Sequence, residues 1–199
     1  MDSLIEKVEY KGFTIETHYD QDPLSPLDDE DQEGIKIWVH PRSRHRIGNV
    51  EAPEFPMEPG DVTLPLYLYD HSGIAISTTP FSCPWDSGQV GWVYLPKKQV
   101  ERFFEDDNEN RARKMIVSFI AHYNKYLQGE VYGYVVEDSD GFHLDSCWGI
   151  YDDDEGPEVQ GKRFVDFHVA QLEMVRRATE VQCRESVEDG ISIAKRAEV

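Results

Sequence analysis

An α+β fold, mainly antiparallel and packed with about three helices, is what the sequence predicts, and three observations predict it. Short apolar runs with a two-residue period fill the first half of the chain, separated by polar turns that carry glycine. A 3.6-residue apolar stripe then runs from Met115 to Leu127. Strand-like runs return on either side of Asp138-Ser139-Asp140-Gly141 before a last helical stretch, so strands and helices come in groups rather than in strict alternation.

Taken in order, residues 5–19 alternate around Lys11-Gly12 and predict a hairpin. The next segment, 20–33, holds seven acidic residues, two prolines and no cation, which makes it a solvated loop. Asp29, Asp31, Glu33 and Gly34 start like a calcium-binding loop, but His40 stands where the bidentate carboxylate is required. The run IKIWVH is a strand with Ile35, Ile37 and Val39 on one face and Lys36, Trp38 and His40 on the other. Residues 51–63 carry Pro53, Pro56, Pro59 and Gly60 and read as an extended connector.

The stretch from Leu64 to Leu95 is the centre of the pattern. Strands over Leu66–Tyr69, Ile74–Thr78 and Gly91–Leu95 suit an antiparallel meander. Pro96 then opens a short helix to Glu105 with Val100, Phe103 and Phe104 inward. A second helix runs from about Arg111 to Leu127 and stops at Gly129. A hairpin over Val131–Glu137 and Phe142–Tyr151 turns at the Asp-Gly pair, and a third helix over Phe164–Arg184 presents Val165, Val169, Leu172 and Val175. One domain over 1–185 is expected, with acidic loops at about 20–33 and 152–160 and a frayed tail over 186–199.

Charge bounds the function. At −19, long-range steering works against DNA, RNA and anionic lipid and favours cationic protein surfaces, so neither direct nucleic-acid binding nor membrane binding is expected. Asp28, Asp29, Glu30 and Asp31 in one loop and Asp152, Asp153 and Asp154 in the other would form the acidic surface. Cys83, Cys147 and Cys183 are an odd, widely spaced set that suits a reducing compartment; with no apolar leader at the N-terminus, a cytoplasmic location is expected.

Candidate chemistry gathers in the turns of the central stretch. Cys83, His71 and Asp86, with Asp70 nearby, are the residue types of a thiol nucleophile, its base and an orienting carboxylate. Cys147-Trp148-Gly149 echoes the surroundings of a papain-type nucleophile, but lies in a late hairpin strand instead of opening a helix. Arg42, Arg44 and Arg46, with His45, form the densest basic cluster and are a possible anion site, or else neutralise the preceding acidic loop. No close ligand pair points to a metal among His40, His45, His71, Cys83 and Cys147, and no phosphate-cradling glycine motif is present; no cofactor is expected. Asp-Ser-Gly turns near Trp85 and Trp148 stand as turn supports or as the rim of a pocket.

The motifs LYLYDHSG, FSCPWDSGQVG, YLQGEVYGYVVED and DSCWG resemble a family of uncharacterised proteins carried by bacteriophages and other mobile elements, over about Gly34 to Ile150. The family brings no established catalytic residues. The resemblance implies an accessory protein of the bacterial host's invader. Joined to the charge, it implies a non-enzymatic inhibitor of a host defence or nucleic-acid-processing protein with a basic surface, a mimic of nucleic-acid charge being one form of it. The alternatives are a Cys/His-dependent enzyme or small-anion (signalling nucleotide) binder using the 70–86 turns, and a phage assembly or regulatory factor.

Overall fold

Strand-forming alternation and two helical stripes build a computed structural model with eight strands, β1–β8, and three helices, α1–α3. It describes residues 3–28, 34–104, 108–152 and 155–197, with backbone alone at 183 and 185–197. The residues group into two compact units: residues 19–131, and a second unit made of residues 1–18 together with 132–199.

The second unit starts with β1 (Leu4–Tyr10) and β2 (Phe13–Tyr19), joined by Lys11 and Gly12, both at positive φ (52° and 84°) as a tight two-residue hairpin demands. With β7 (Tyr132–Glu137) and β8 (His143–Ile150) they form a sheet of order β1-β2-β7-β8. The β7–β8 turn is the expected one: the Asp138 carboxylate accepts the N–H groups of Asp140 and Phe142, each at 2.9 Å, and Gly141 takes φ 81°. Helix α3 (Pro157–Ala197) covers one face, where Ile15, Tyr134, Val136, Ile150 and Val165 form the core.

Helix α3 corrects the reading from sequence. It starts at Pro157, where a missing N–H costs nothing, rather than near Phe164. Its buried face ends early: Val165 is enclosed and Val169 packs on the core, but Leu172 and Val175 are exposed. The tail from Ser186 is described only as helical backbone, through Ala197.

Glu16 on β2 gives this unit an acid-sensitive tie. Lys7 donates to it at 3.0 Å, which holds its carboxyl below the ordinary value of 4.5. A depressed folded-state value means that the unfolded chain binds the proton more readily, so this contribution is complete above pH 4.5 and is lost as pH falls further. The Glu16→Gln variant is therefore expected to show a shallower loss of stability below pH 4.5 than the parent, measured by urea denaturation at stepped pH. Parallel acid limbs would show that the pair contributes nothing.

The unit over residues 19–131 holds β3 (Lys36–Val39), β4 (Val62–Asp70), β5 (Ile74–Ser77) and β6 (Ser87–Leu95), in the order β3-β6-β4-β5. The three central strands are present, but they are not a sequential meander. β4 lies between β5 and β6, so the chain leaves edge strand β5 and passes β4 to form β6. Strand β4 also starts earlier than expected, at Val62, and includes Pro65. Proline fits there because β5 pairs only with Tyr67–Asp70, which leaves the other side of β4 open at Pro65.

Ile37, Val62, Leu66, Leu68, Val93 and Leu95 form the apolar face, and α2 (Glu109–Leu127) packs on it with Ala112, Ile116, Phe119, Ile120 and Tyr123 buried. The helix begins two residues before the expected Arg111, capped by Asn108, whose side chain accepts from the Arg111 N–H at 3.3 Å. Burial pushes the Tyr123 phenol up to about 12. The short α1 (Lys97–Phe103) buries Val100 and packs Phe104 on the core, whereas Phe103 is exposed, contrary to expectation: positions 100 and 104 share a helical face and 103 lies at its edge. On the opposite side of the sheet Trp38 and Trp92 stand as a cross-strand pair. The 51–61 connector lays Phe55 against Trp38, Trp92 and Tyr94, and the Trp38 indole donates to the Ala52 carbonyl at 3.0 Å. No described helix is long and apolar enough to cross a membrane.

Candidate functional site

Antiparallel pairing of β4 with β6 places the end of one strand beside the start of the other, and the Asp70 N–H donates to the Asp86 carbonyl at 2.9 Å. Two carboxylates thereby sit next to each other at one end of the sheet, each with its own set of partners.

Asp86 holds the thiol-type candidates. His71 Nδ1 lies 3.3 Å from Asp86 Oδ2, and the Cys83 thiol lies 3.7 Å from the same oxygen. Sequence reasoning named these residues, and the structure brings them together. The order of the groups differs from the one that thiol catalysis needs. There the imidazole stands between sulfur and carboxylate, so that it can take the thiol proton and be steadied by the acid. Here the carboxylate stands between the thiol and the imidazole. His71 also stacks on Tyr69, with ring centres 6.0 Å apart, and remains mostly exposed at 64%. Ser87 Oγ donates to the Cys83 carbonyl, which fixes the turn rather than offering a further reactive group. Trp85 projects from this turn at 91% exposure.

Asp70 holds part of the basic cluster. Arg44 is paired with its Oδ2 through Nη2, and His45 Nε2 lies 3.1 Å from the same oxygen. Arg44 Nε also donates to His45 Nε2 at 3.1 Å. That nitrogen serves one neighbour at a time: without a proton it accepts from Arg44, and with one it donates to Asp70. The three arginines are thus divided. Arg44 is engaged with Asp70, whereas Arg42 and Arg46 are exposed and meet no carboxylate among the described residues.

Beyond Arg44 the chain folds back along β3. Asn49 lies across the strand edge, its side-chain oxygen accepting the Ile37 N–H at 2.8 Å and its amide donating to the Ile35 carbonyl at 3.3 Å. The Asn49 and Val50 N–H groups both donate to the Ile37 carbonyl at 3.1 Å. Glycine is required just before them, since a Cβ at Gly48 would fall 2.7 Å from the Ile37 carbonyl oxygen. Between this return and the end of β3 lies a cleft of about 420 Å³. Its polar lining is His40, Ser43, His45, Arg46 and Glu51.

No family model, curated protein or solved structure matches the chain.

The remaining candidates are scattered. Cys147 is exposed on β8, its thiol 3.8 Å from the Trp148 carbonyl. Trp148 belongs to the other unit, where it lies over Gly133 of β7 and meets His18 at 6.0 Å between ring centres. Cys147 and Trp148 both belong to that unit, whereas the Asp70–Asp86 groups all lie in residues 19–131. Among the described residues no three His, Cys, Asp or Glu side chains are placed to hold a metal. Of the acidic-surface residues, Asp28 and Asp152 are described and exposed; Asp29, Glu30, Asp31, Asp153 and Asp154 lie outside the described residues.

Sequence reasoning missed Ser43 and the Gly48-Asn49 pair. The signal available was Gly-Asn one residue after a basic run, a turn-forming pair that brings the chain back beside the strand it has just left.

Proposed function

We propose that the protein is a non-enzymatic accessory factor of a phage or mobile element, which binds and blocks a basic surface of a host defence or nucleic-acid-processing protein. The observation that carries this reading is exposed negative charge outside any ion pair among the described residues. Asp22, Asp28, Glu51, Glu54 and Glu58 are exposed and form no ion pair among the described residues. Cations such as Lys7, Lys11, Arg44, Arg113 and Arg163 are each already matched with a carboxylate and offset none of it. A surface with unmatched carboxylates steers toward arginine- and lysine-lined channels and competes there with phosphate backbone. The inverted order of Cys83, Asp86 and His71 supports a binding role over thiol catalysis.

Affinity capture of the full chain in a bacterial lysate, at about 50 mM and about 500 mM salt, tests the proposal, because screening shortens the reach of surface charge severalfold over that range. A nucleic-acid-binding or defence protein retained at low salt and released at high salt is the expected result. Recovery of no such partner, or of one held equally at both salts, overturns it.

A further inference from the structure

We infer that the cleft between the end of β3 and the Gly48–Pro53 return binds the phosphate group of a small phosphomonoester, a function separate from the charge-driven association above. Its volume of about 420 Å³ suits a small metabolite or a nucleoside monophosphate, since ligand pockets start at about 300 Å³.

His40, Ser43 and Arg46 give the cleft its donors. His40 Nδ1 accepts the Arg42 N–H at 3.1 Å, so a neutral His40 carries its proton on Nε2. The Ser43 oxygen accepts from the His45 N–H at 3.2 Å, which leaves its hydroxyl proton for another acceptor. Arg46 adds a guanidinium that meets no carboxylate among the described residues, although acidic residues outnumber basic ones 39 to 20 in this chain. Arg46 lines the cleft, and its guanidinium carries the fork of N–H donors that pairs with two oxygens of a phosphate. Glu51 is the one carboxylate of the lining, so the donors prevail. Pro41, Val50 and Pro53 supply an apolar wall for the body of an ester, which bare phosphate would not use.

The frame is built in advance. Asn49 stitches the return to β3, Gly48 permits the close approach, and Arg44 with His45 ties the start of the return to Asp70. A backbone frame held in place lowers the freedom lost on binding, which is what a compact anion site needs in a protein whose overall charge repels anions.

Calorimetric titration of the full chain with inorganic phosphate and with adenosine 5′-monophosphate tests the site. Saturable 1:1 binding of both is expected, the nucleotide being tighter. Arg46→Ala should weaken both at least tenfold, Arg46→Lys should lose less, and Arg42→Ala, outside the cleft lining, should leave both within twofold of the parent. Circular dichroism checks that each variant is folded, which its exposed position favours. The inference is overturned by no saturable binding of either probe, by phosphate binding with the nucleotide excluded, by an unchanged Arg46→Ala variant, or by equal losses in Arg42→Ala and Arg46→Ala. The same titration on a chain with neutralised acidic loops separates this site from the charge-driven reading: phosphate binding persists there whether or not a protein partner is lost.

Discussion

Replacing Gly91 with alanine is expected to destabilise the chain by about 3 kcal/mol or more, whereas Gly88→Ala, three residues earlier on the same strand, should change stability by less than about 0.5 kcal/mol. Gly91 lies on β6 between two partners, opposite Val39 of β3 and Leu66 of β4. A Cβ there would stand 2.0 Å from the Trp38 carbonyl oxygen and 3.0 Å from the Val39 Cα. Both are backbone atoms, so no rotamer change relieves the overlap, and the two strands must part. Separation would also pull apart the Trp38–Trp92 pair and expose Ile37 and Val93, which are fully buried. At Gly88 a Cβ meets nothing within 4 Å. Urea denaturation followed by tryptophan fluorescence distinguishes the pair of variants, and equal midpoints would show that the sheet accommodates the methyl group.

The second large effect concerns association. Converting Asp28, Asp29, Glu30 and Asp31 to their amides removes four negative charges from adjacent positions, and Glu51→Gln, Glu54→Gln and Glu58→Gln remove three from the connector. Each exposed charge contributes a few tenths of a kcal/mol up to about 1 kcal/mol in such a setting, so either set should weaken a captured partner on the order of tenfold at low salt. The loss should fall mainly on the association rate and shrink as salt is raised, because the carboxylates act at a distance before contact. Surface plasmon resonance over a salt series measures both rates. Full affinity in the 28–31 variant would remove those carboxylates from the binding surface, and full affinity in both would end the electrostatic reading. Thermal midpoints should stay close to the parent's, since Glu51, Glu54 and Glu58 form no described ion pair that the amides would break.

Local order was legible in the residues wherever one physical signal dominated. The stripe from Ile116 to Tyr123 named its own buried face, and Lys11-Gly12 and Asp140-Gly141 named their turns, because helix period and positive φ are properties of a few adjacent residues. Strand order was not legible. Alternation in β4, β5 and β6 tells which side chains face inward, but not which strand lies beside which, so a central β4 flanked by both others looked the same as a meander. The inward reading of Leu172 and Val175 failed for a related reason: periodicity marks an apolar face without saying how far the covering sheet extends.

The site was legible as a gathering and not as an arrangement. Asp70, His71, Cys83 and Asp86 do meet, since tight turns at facing strand ends bring their residues together. Which of them stands in the middle depends on side-chain directions across a strand pair, and spacing along the chain is silent on that. The arginines show the same limit. Arg42, Arg44 and Arg46 looked equivalent in a row of five residues, and only the return of the chain through Gly48 and Asn49 gives Arg44 to Asp70 and Arg46 to the cleft.

The interrupted second unit has a bearing on biogenesis. Its sheet needs β7 as the neighbour of β2, yet more than a hundred residues separate them in the chain. During vectorial synthesis the first hairpin leaves the ribosome with an unsatisfied edge and no helix to cover it, while residues 19–131 can collect their own strands and α2 as they emerge. The Asp20 N–H, which donates to the Val131 carbonyl at 2.8 Å, draws the two ends of that segment together. With those ends held together, the pairing of β7 with β2 closes a shorter effective loop than their separation along the chain implies.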